Sequence, residues 1–187
     1  MAENKSKLVY VDAVRLSRSR KERISELQAE CFNRVSRKEI AECFIAKEFG
    51  WILACQGASI IGQIELFSRK VEFEERKILL GGLGGTCVTV SARNKGLGSR
   101  LVRKGIEIMR QKKCDVACLN ANIRDYSSGG LYHSMGFRLM KRPISFTDVH
   151  GKTRYDTGEM FVPICSSEIY ELVMNSPATF HIGRGYW

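Results

Sequence analysis

The sequence predicts an α/β (α+β) protein, a mixed sheet with helices on its faces. Three observations predict it. Strand-like segments outnumber helical ones, in the order β-α-α-β-β-β-α-β-α-β-β. Hairpin signals stand beside α crossovers, a combination that fits a regularly alternating doubly wound fold less well. The chain of 187 residues, 44% apolar and 27% charged, is long enough for one domain with a real core. Residues 1–187 are therefore expected to form a single domain, closed by a C-terminal tail of about 166–187.

Each element has its own warrant. Residues 7–13 are a short apolar first strand. Residues 19–32 place Ile24, Leu27 and Cys31 on one helical face, with Ser17 or Ser19 as cap. Residues 37–49 read as a second helix with Ile40, Cys43 and Phe44 as its stripe, ended by Gly50. Residues 51–55 and 59–69 form two strands around the turn at Gln56-Gly57. Residues 77–90 read as a long strand, with Gly81, Gly82, Gly84 and Gly85 marking bends or bulges. A helix then runs to about residue 112, burying Leu97, Leu101, Val102, Ile106 and Met109. Residues 116–121 are a strand, and 127–135 a short helix ended by Gly136. Residues 137–146 and 154–164 are strands joined through a hairpin at 148–151.

Composition removes several classes. The uncharged run 51–64 holds Gln56, Gly57, Ser59, Gly62 and Gln63, and is too short and too polar to span a bilayer. Residues 1–15 carry no basic-then-apolar leader. A cytoplasmic protein without membrane partners is expected. Seven cysteines, with no C-x-x-C pair, read as reduced apolar thiols. His133, His150 and His181 pair with no cysteine at ligand spacing, so no metal is expected.

The net charge of +10 is concentrated. Residues 69–113 carry 12 basic and 4 acidic side chains. A local excess points to an anionic ligand, either nucleic acid or a polyphosphorylated cofactor. Base-stacking aromatics are absent from the basic stretch 93–113, so no nucleic acid is expected. Residues 88–100 read V-T-V-S-A-R-N-K-G-L-G-S-R, a strand, an R-x-x-G-x-G loop and a helix start. Such a loop presents free backbone N–H groups at a helix N-terminus, where the dipole favours an anion. Gly96 and Gly98 let the backbone approach a phosphate without a Cβ between them, and Arg93, Lys95 and Arg100 add charge. The same loop could be a glycine-rich turn with solvated cations. It is neither a Walker loop nor a dinucleotide fingerprint.

Residues 131–137 read L-Y-x-x-x-G-F. Together, the two motifs resemble the GNAT acetyltransferase superfamily. The likeness is specific over 86–137 and covers about 8–165 as an arrangement of elements. It implies a mostly antiparallel central sheet with helices on both faces. It also implies that Lys95, Gly96, Leu97, Gly98, Ser99 and Arg100, with Arg93, bind the pyrophosphate of acetyl-CoA. Val88, Thr89 and Val90 would pair with its pantetheine arm, beside a β-bulge that opens a slot. Tyr132 matches the tyrosine that acts as general acid on the departing thiolate. Asp125 stands where the family has asparagine, and Ser128 where it has alanine.

The implied reaction is direct acetyl transfer to a primary amine, which must first lose a proton. Glu65 and Glu159 are candidate bases, with Asp156, His133 and His181 behind them. Cys87 lacks a His–carboxylate partner that would make it a nucleophile. The C-terminal third is weakly similar to aminoglycoside 2'-N-acetyltransferases through G-E-M-F-V-P at 158–163 and the final Trp187. That likeness would place Thr86, Cys87, Asp156 and Trp187 around the acceptor. Two positions depart from that group: its central-strand glutamate aligns with Thr86, and its aspartate before the terminal Trp aligns with Gly185. A small-molecule amine acceptor is expected, with a protein or peptide acceptor and a non-catalytic CoA sensor as alternatives. A homodimer is the expected assembly.

Overall fold

The computed structural model describes residues 6–32, 36–121 and 126–187, apart from the side chains of 126–129. A seven-stranded sheet is ordered β1-β2-β3-β4-β5-β9-β6. Its strands are β1 (Lys7–Asp12), β2 (Gly50–Gln56), β3 (Ser59–Phe73), β4 (Arg76–Val88), β5 (Val116–Asn120), β9 (Glu159–Pro163) and β6 (Arg138–Leu139). Every neighbouring pair is antiparallel except β4 and β5. A three-stranded sheet holds β7 (Ile144–Thr147) between β8 (Thr153–Asp156) and β10 (His181–Arg184). The helices are α1 (Arg18–Cys31), α2 (Arg37–Cys43), α3 (Leu97–Gln111), α4 (Tyr126–His133) and α5 (Ser167–Asn175). Among the described residues, no helix is long and apolar enough to cross a membrane.

Alternation along the strands shows that both faces of the large sheet are covered. Ile52, Ala54, Ile64, Leu66, Ala117, Leu119, Met160 and Val162 share a core with Leu101, Val102 and Met109 of α3 and with Tyr132 of α4. Their chain neighbours point the other way. Trp51 and Leu53 pack with Ile24 of α1, and Phe67, Val116, Cys118 and Phe161 pack with Ile169 and Val173 of α5. Period-2 strands buried on both sides read as continuous apolar runs, which explains 51–55 and 116–121. Leu101 and Met109 are fully buried, so truncating either to alanine would cost about 2–5 kcal/mol.

Several expected boundaries move, each for a tertiary reason. The second helix stops at Cys43 rather than 49. The Glu42 carbonyl accepts from the Val149 N–H, and the Cys43 carbonyl from the Tyr186 N–H at 2.7 Å, so distant segments cap the end. Residues 59–73 and 76–88 make one long hairpin, turned by Glu74 and Glu75 with φ of 47° and 60°. Two left-handed non-glycine residues give no glycine signal to read. The expected strand 137–146 is divided between the two sheets as β6 and β7, and 154–164 as β8 and β9. Residues 166–187 carry two elements. Ser166 caps α5 by accepting from the Ile169 N–H at 3.1 Å, and β10 joins β7 in parallel.

Candidate functional site

The geometry begins with β4. Gln63 pairs with Cys87 and Glu65 with Gly84, so Gly85 and Thr86 stand opposite Ile64 alone. This is a β-bulge, opened by Gly85 at φ 54°. The extra residue reverses the alternation. Leu83 faces α3 and Gly84 faces the α1 side; beyond the bulge, Thr86 and Val88 face α3, and Cys87 faces α1. A regular strand would have put Thr86 on the wrong side of the sheet to meet Tyr132. The two residues expected together at the acceptor thus lie on opposite faces.

The bulge also coincides with a splay. Parallel pairing of β4 with β5 ends at Gly82–Cys118, while β4 continues to Val88. On the α3 face of this opening stands Tyr132, 7% exposed and edge-on to Phe137 at 6.0 Å. Burial pushes its phenol above the usual tyrosine range, and a hydrogen bond with Thr86 pulls it back.

The R-x-x-G-x-G loop leads into α3 on the same side. Gly96 is the N-cap at φ 73° and supplies no side-chain cap, so the first N–H groups of α3 lack an internal acceptor. A Cβ at Gly96 would meet open space, and one at Gly98 would lie 3.4 Å from Leu131. These features fit an anion cradle. The expected cations are tied back to the protein. Arg93 Nε donates to the Val88 carbonyl at 3.0 Å, Lys95 Nζ to Ser91 O at 3.0 Å, and Arg100 to Ser6 O at 2.8 Å. The Val90 N–H and the Thr89 hydroxyl both donate to Glu30 Oε1 at 3.2 Å. Leu97 is buried and Ser99 partly exposed. Asp125 lies outside the described residues, as does the side chain of Ser128.

On the opposite face, two carboxyls flank the splay. Glu65 lies against the bulge, where a Cβ at Gly85 would come within 2.9 Å of its Cδ. Gln28 Nε2 of α1 donates to its Oε1 at 2.5 Å. Burial raises Glu65 above the usual range, the Glu48 charge adds to that, and the Gln28 bond opposes it. Glu159, 1% exposed, stands opposite Asn120 at the end of β5. Tyr186 Oη donates to its Oε2 at 2.6 Å. Desolvation pushes its carboxyl up to about 7 despite that bond.

Between the two carboxyls lies Trp187. It stacks on Phe67 at 5.7 Å beneath the Arg69 guanidinium at 4.3 Å. Only glycine allows this, since a Cβ at Gly82 would sit 2.4 Å from the indole. Trp187 is buried at 6% exposure. Asp156, on β8, borders a groove of about 210 Å³ with Glu39, Phe44, Phe146, Tyr155 and Tyr186. A larger hollow of about 450 Å³ at Lys70 and Lys77 lies near the far end of the β3–β4 hairpin, away from the splay.

The remaining candidates stand apart. His133 is exposed on α4, and His181 is held between Ser145 Oγ at 2.9 Å and Thr147 Oγ1 at 3.3 Å. Burial, with Cys31 beside it, pushes the Cys87 thiol far above the usual range, against use as a nucleophile. Sequence reasoning missed Gln28, Asn120 and Tyr186. No motif joins them; their only signal is a polar side chain in or beside an apolar strand or helix.

Residues 13–140 match the family model described as an acetyltransferase (GNAT) domain. The chain is 27% identical over 127 residues to N-alpha-acetyltransferase 30 of Xenopus laevis, covering 63% of this chain and 45% of that protein. It therefore spans less than half the length of that curated relative. Its fold is similar to a chain of the NatC complex bound to Gag peptide and CoA, with a TM-score of 0.54 and 18% identity over 84% of this chain and 98% of that one. It is also similar to an aminoglycoside acetyltransferase from an uncultured soil metagenomic sample, solved with trehalose. There the TM-score is 0.56, with 14% identity over 72% of this chain and 89% of the other. At these identities the structural likeness is one of fold.

Proposed function

We propose a function from one premise: the chain belongs to the GNAT acetyltransferase family. Its activity is transfer of acetyl from acetyl-CoA to a primary amine, without an acetylated enzyme. The observation that carries this is the splay at the Gly85–Thr86 bulge, with Tyr132 on one face and Glu65 and Glu159 on the other. Such an opening lets a donor and an acceptor meet from opposite sides of one sheet.

Acetyl-CoA would supply the acetyl group already activated as a thioester. The N–H groups of residues 97–99, with Gly96 holding the turn, bind its pyrophosphate. Arg93, Lys95 and Arg100 supply countercharge by exchanging their backbone partners for phosphate oxygens. Val88, Thr89 and Val90 border the pantetheine arm. Tyr132 Oη holds its proton because it is buried, and that proton is available to a departing thiolate. On the other face, Glu65 and Glu159 accept the proton of the incoming ammonium, their basicity raised by burial.

The acceptor is the free N-terminal amine of a peptide or protein. The groove at Phe44, Phe146 and Tyr155 offers aromatic surface for a first side chain. The relation to N-alpha-acetyltransferase 30 supports the same reading. A small polyamine is the second reading, favoured by Glu39 and Asp156 on that groove. The test is thiol release from acetyl-CoA with two panels, free-amine peptides and small amines including aminoglycosides. Peptide turnover lost on N-terminal blocking and on Tyr132→Phe is expected. Turnover of small amines alone overturns the acceptor; retained acetyl-CoA binding with no turnover overturns the activity and leaves a sensor.

A further inference from the structure

Glu159 poses a problem for any reading that uses it as a base. Its carboxyl is enclosed, and Oε1 has no hydrogen-bond partner. An amine in the groove cannot reach it directly. Among the described residues, Tyr186 both lines the groove and hydrogen-bonds to Glu159. We propose that Tyr186 relays the acceptor's proton to Glu159, joining the amine groove to a buried base. This rests on the amine-acetylating reading above.

The geometry of the relay is explicit. Tyr186 Oη donates to Glu159 Oε2 at 2.6 Å and accepts from Asn120 Nδ2 at 2.5 Å. The ring is clamped between Phe146, stacked at 4.9 Å, and Phe44, edge-on at 5.4 Å. The main chain is held as well, by the Tyr186 N–H on Cys43 O and the Ala46 N–H on Tyr186 O. A side chain fixed in this way holds its hydroxyl on the Glu159 carboxyl while the residue forms part of the groove wall. In the step, one N–H bond of the ammonium breaks as a bond from that hydrogen to Tyr186 Oη forms. The original Oη–H bond breaks as Glu159 Oε2–H forms. A neutral amine, a neutral tyrosine and a protonated Glu159 result, with no change in total charge.

The surroundings fit this direction of transfer. Besides Tyr186 and Asn120, the groups facing Glu159 are the Cys118 thiol of β5 and Asp156 of β8. Arg69 of β3 acts on Cys118 from beyond Trp187. Burial and the carboxylates of Glu159 and Asp156 hold the Tyr186 phenol far above its usual range, so it passes a proton by exchange and does not ionise. Desolvation gives Glu159 the affinity to receive that proton near neutrality.

The test uses the full chain and the amine that turns over best in the panels above. Tyr186→Phe is expected to lower kcat about 100-fold with KM within about threefold. Glu159→Gln should do the same and abolish the pH limb near 7, and the double variant should be no slower than either single one. A Tyr186→Phe rate within about threefold of wild type, or losses that multiply in the double variant, overturns the relay. A second readout needs no turnover. Carboxyl carbon resonances of the resting protein should show Glu159 titrating near 7, and higher in Tyr186→Phe and in Asn120→Ala. An unmoved titration in both overturns the relay even if no amine is ever acetylated, which keeps its failure distinct from that of the activity. If Tyr186→Phe does not fold, Asn120→Ala decides alone: its pH–rate limb should rise with the titration, and an unchanged limb overturns the proposal.

Discussion

On the α3 face of the splay, the loop at 93–98, the Gly96 cap and the first turn of α3 follow one another along the chain. On the α1 face, Glu65, Asn120, Glu159 and Tyr186 come from four separate segments. The first arrangement is open: Gly96 is exposed, and a Cβ there would meet nothing within 4 Å. The second is sealed, with Glu159 and Trp187 buried and the indole set on bare glycine backbone. An anion cradle can be built locally because backbone N–H groups of consecutive residues converge at a helix start. A carboxyl with raised proton affinity cannot, because desolvation needs neighbours from every side.

The largest effect that would sharpen this contrast is a pH dependence of stability. Glu159 sits near 7 in the fold against an ordinary 4.5, so its folded form keeps a proton that the unfolded chain releases. Its contribution is fully present below about pH 4.5 and lost as pH rises to about 7, by roughly 3 kcal/mol. Urea unfolding of Glu159→Gln against wild type should show a gap that changes across this window and stays flat above it. A constant gap would make the sealed face no different from the open one.

Next is Gly96→Glu, which places a carboxylate in the open cradle. Acetyl-CoA affinity by calorimetry should fall at least about 100-fold, about 2.7 kcal/mol. The fold should survive with a penalty of about 1 kcal/mol for a left-handed non-glycine residue. Unchanged affinity would break the assignment of this face. Gly82→Ala probes the other face. Its Cβ would sit 2.4 Å from the Trp187 indole, and the overpacking should cost about 2 kcal/mol in thermal unfolding. Acetyl-CoA affinity should stay within about twofold, since the two sites share no partner. Arg100→Ala is expected to be the mildest. Loss of its exposed bonds to Ser6 should cost about 0.5 kcal/mol. A stability loss several times larger would show that Arg100 holds β1 in place and is not free to turn to a phosphate.

Much of the α3 face was legible for a physical reason. Gly96 at a left-handed cap and the apolar stripe of α3 are properties of residues within one or two helical turns, and the chain order already contains them. Gly85 was legible as a bulge, but its consequence was not. That Thr86 turns to Tyr132 while Cys87 turns to α1 depends on the register of β4 against β3. The end of α2 at Cys43 and the parting of β6 from β7 were equally hidden. Both depend on carbonyls and edges engaged by segments far away in sequence.

By itself, then, the sequence determined the family motifs, the identity of the elements and the location of the cationic loop, because each rests on contacts a few residues apart. Only the tertiary structure decided which carboxyl is desolvated, which hydroxyl meets it, and which face of the sheet each side chain serves. Those properties are sums over neighbours from β3, β5, β8 and β9, and no local pattern encodes a sum of that kind.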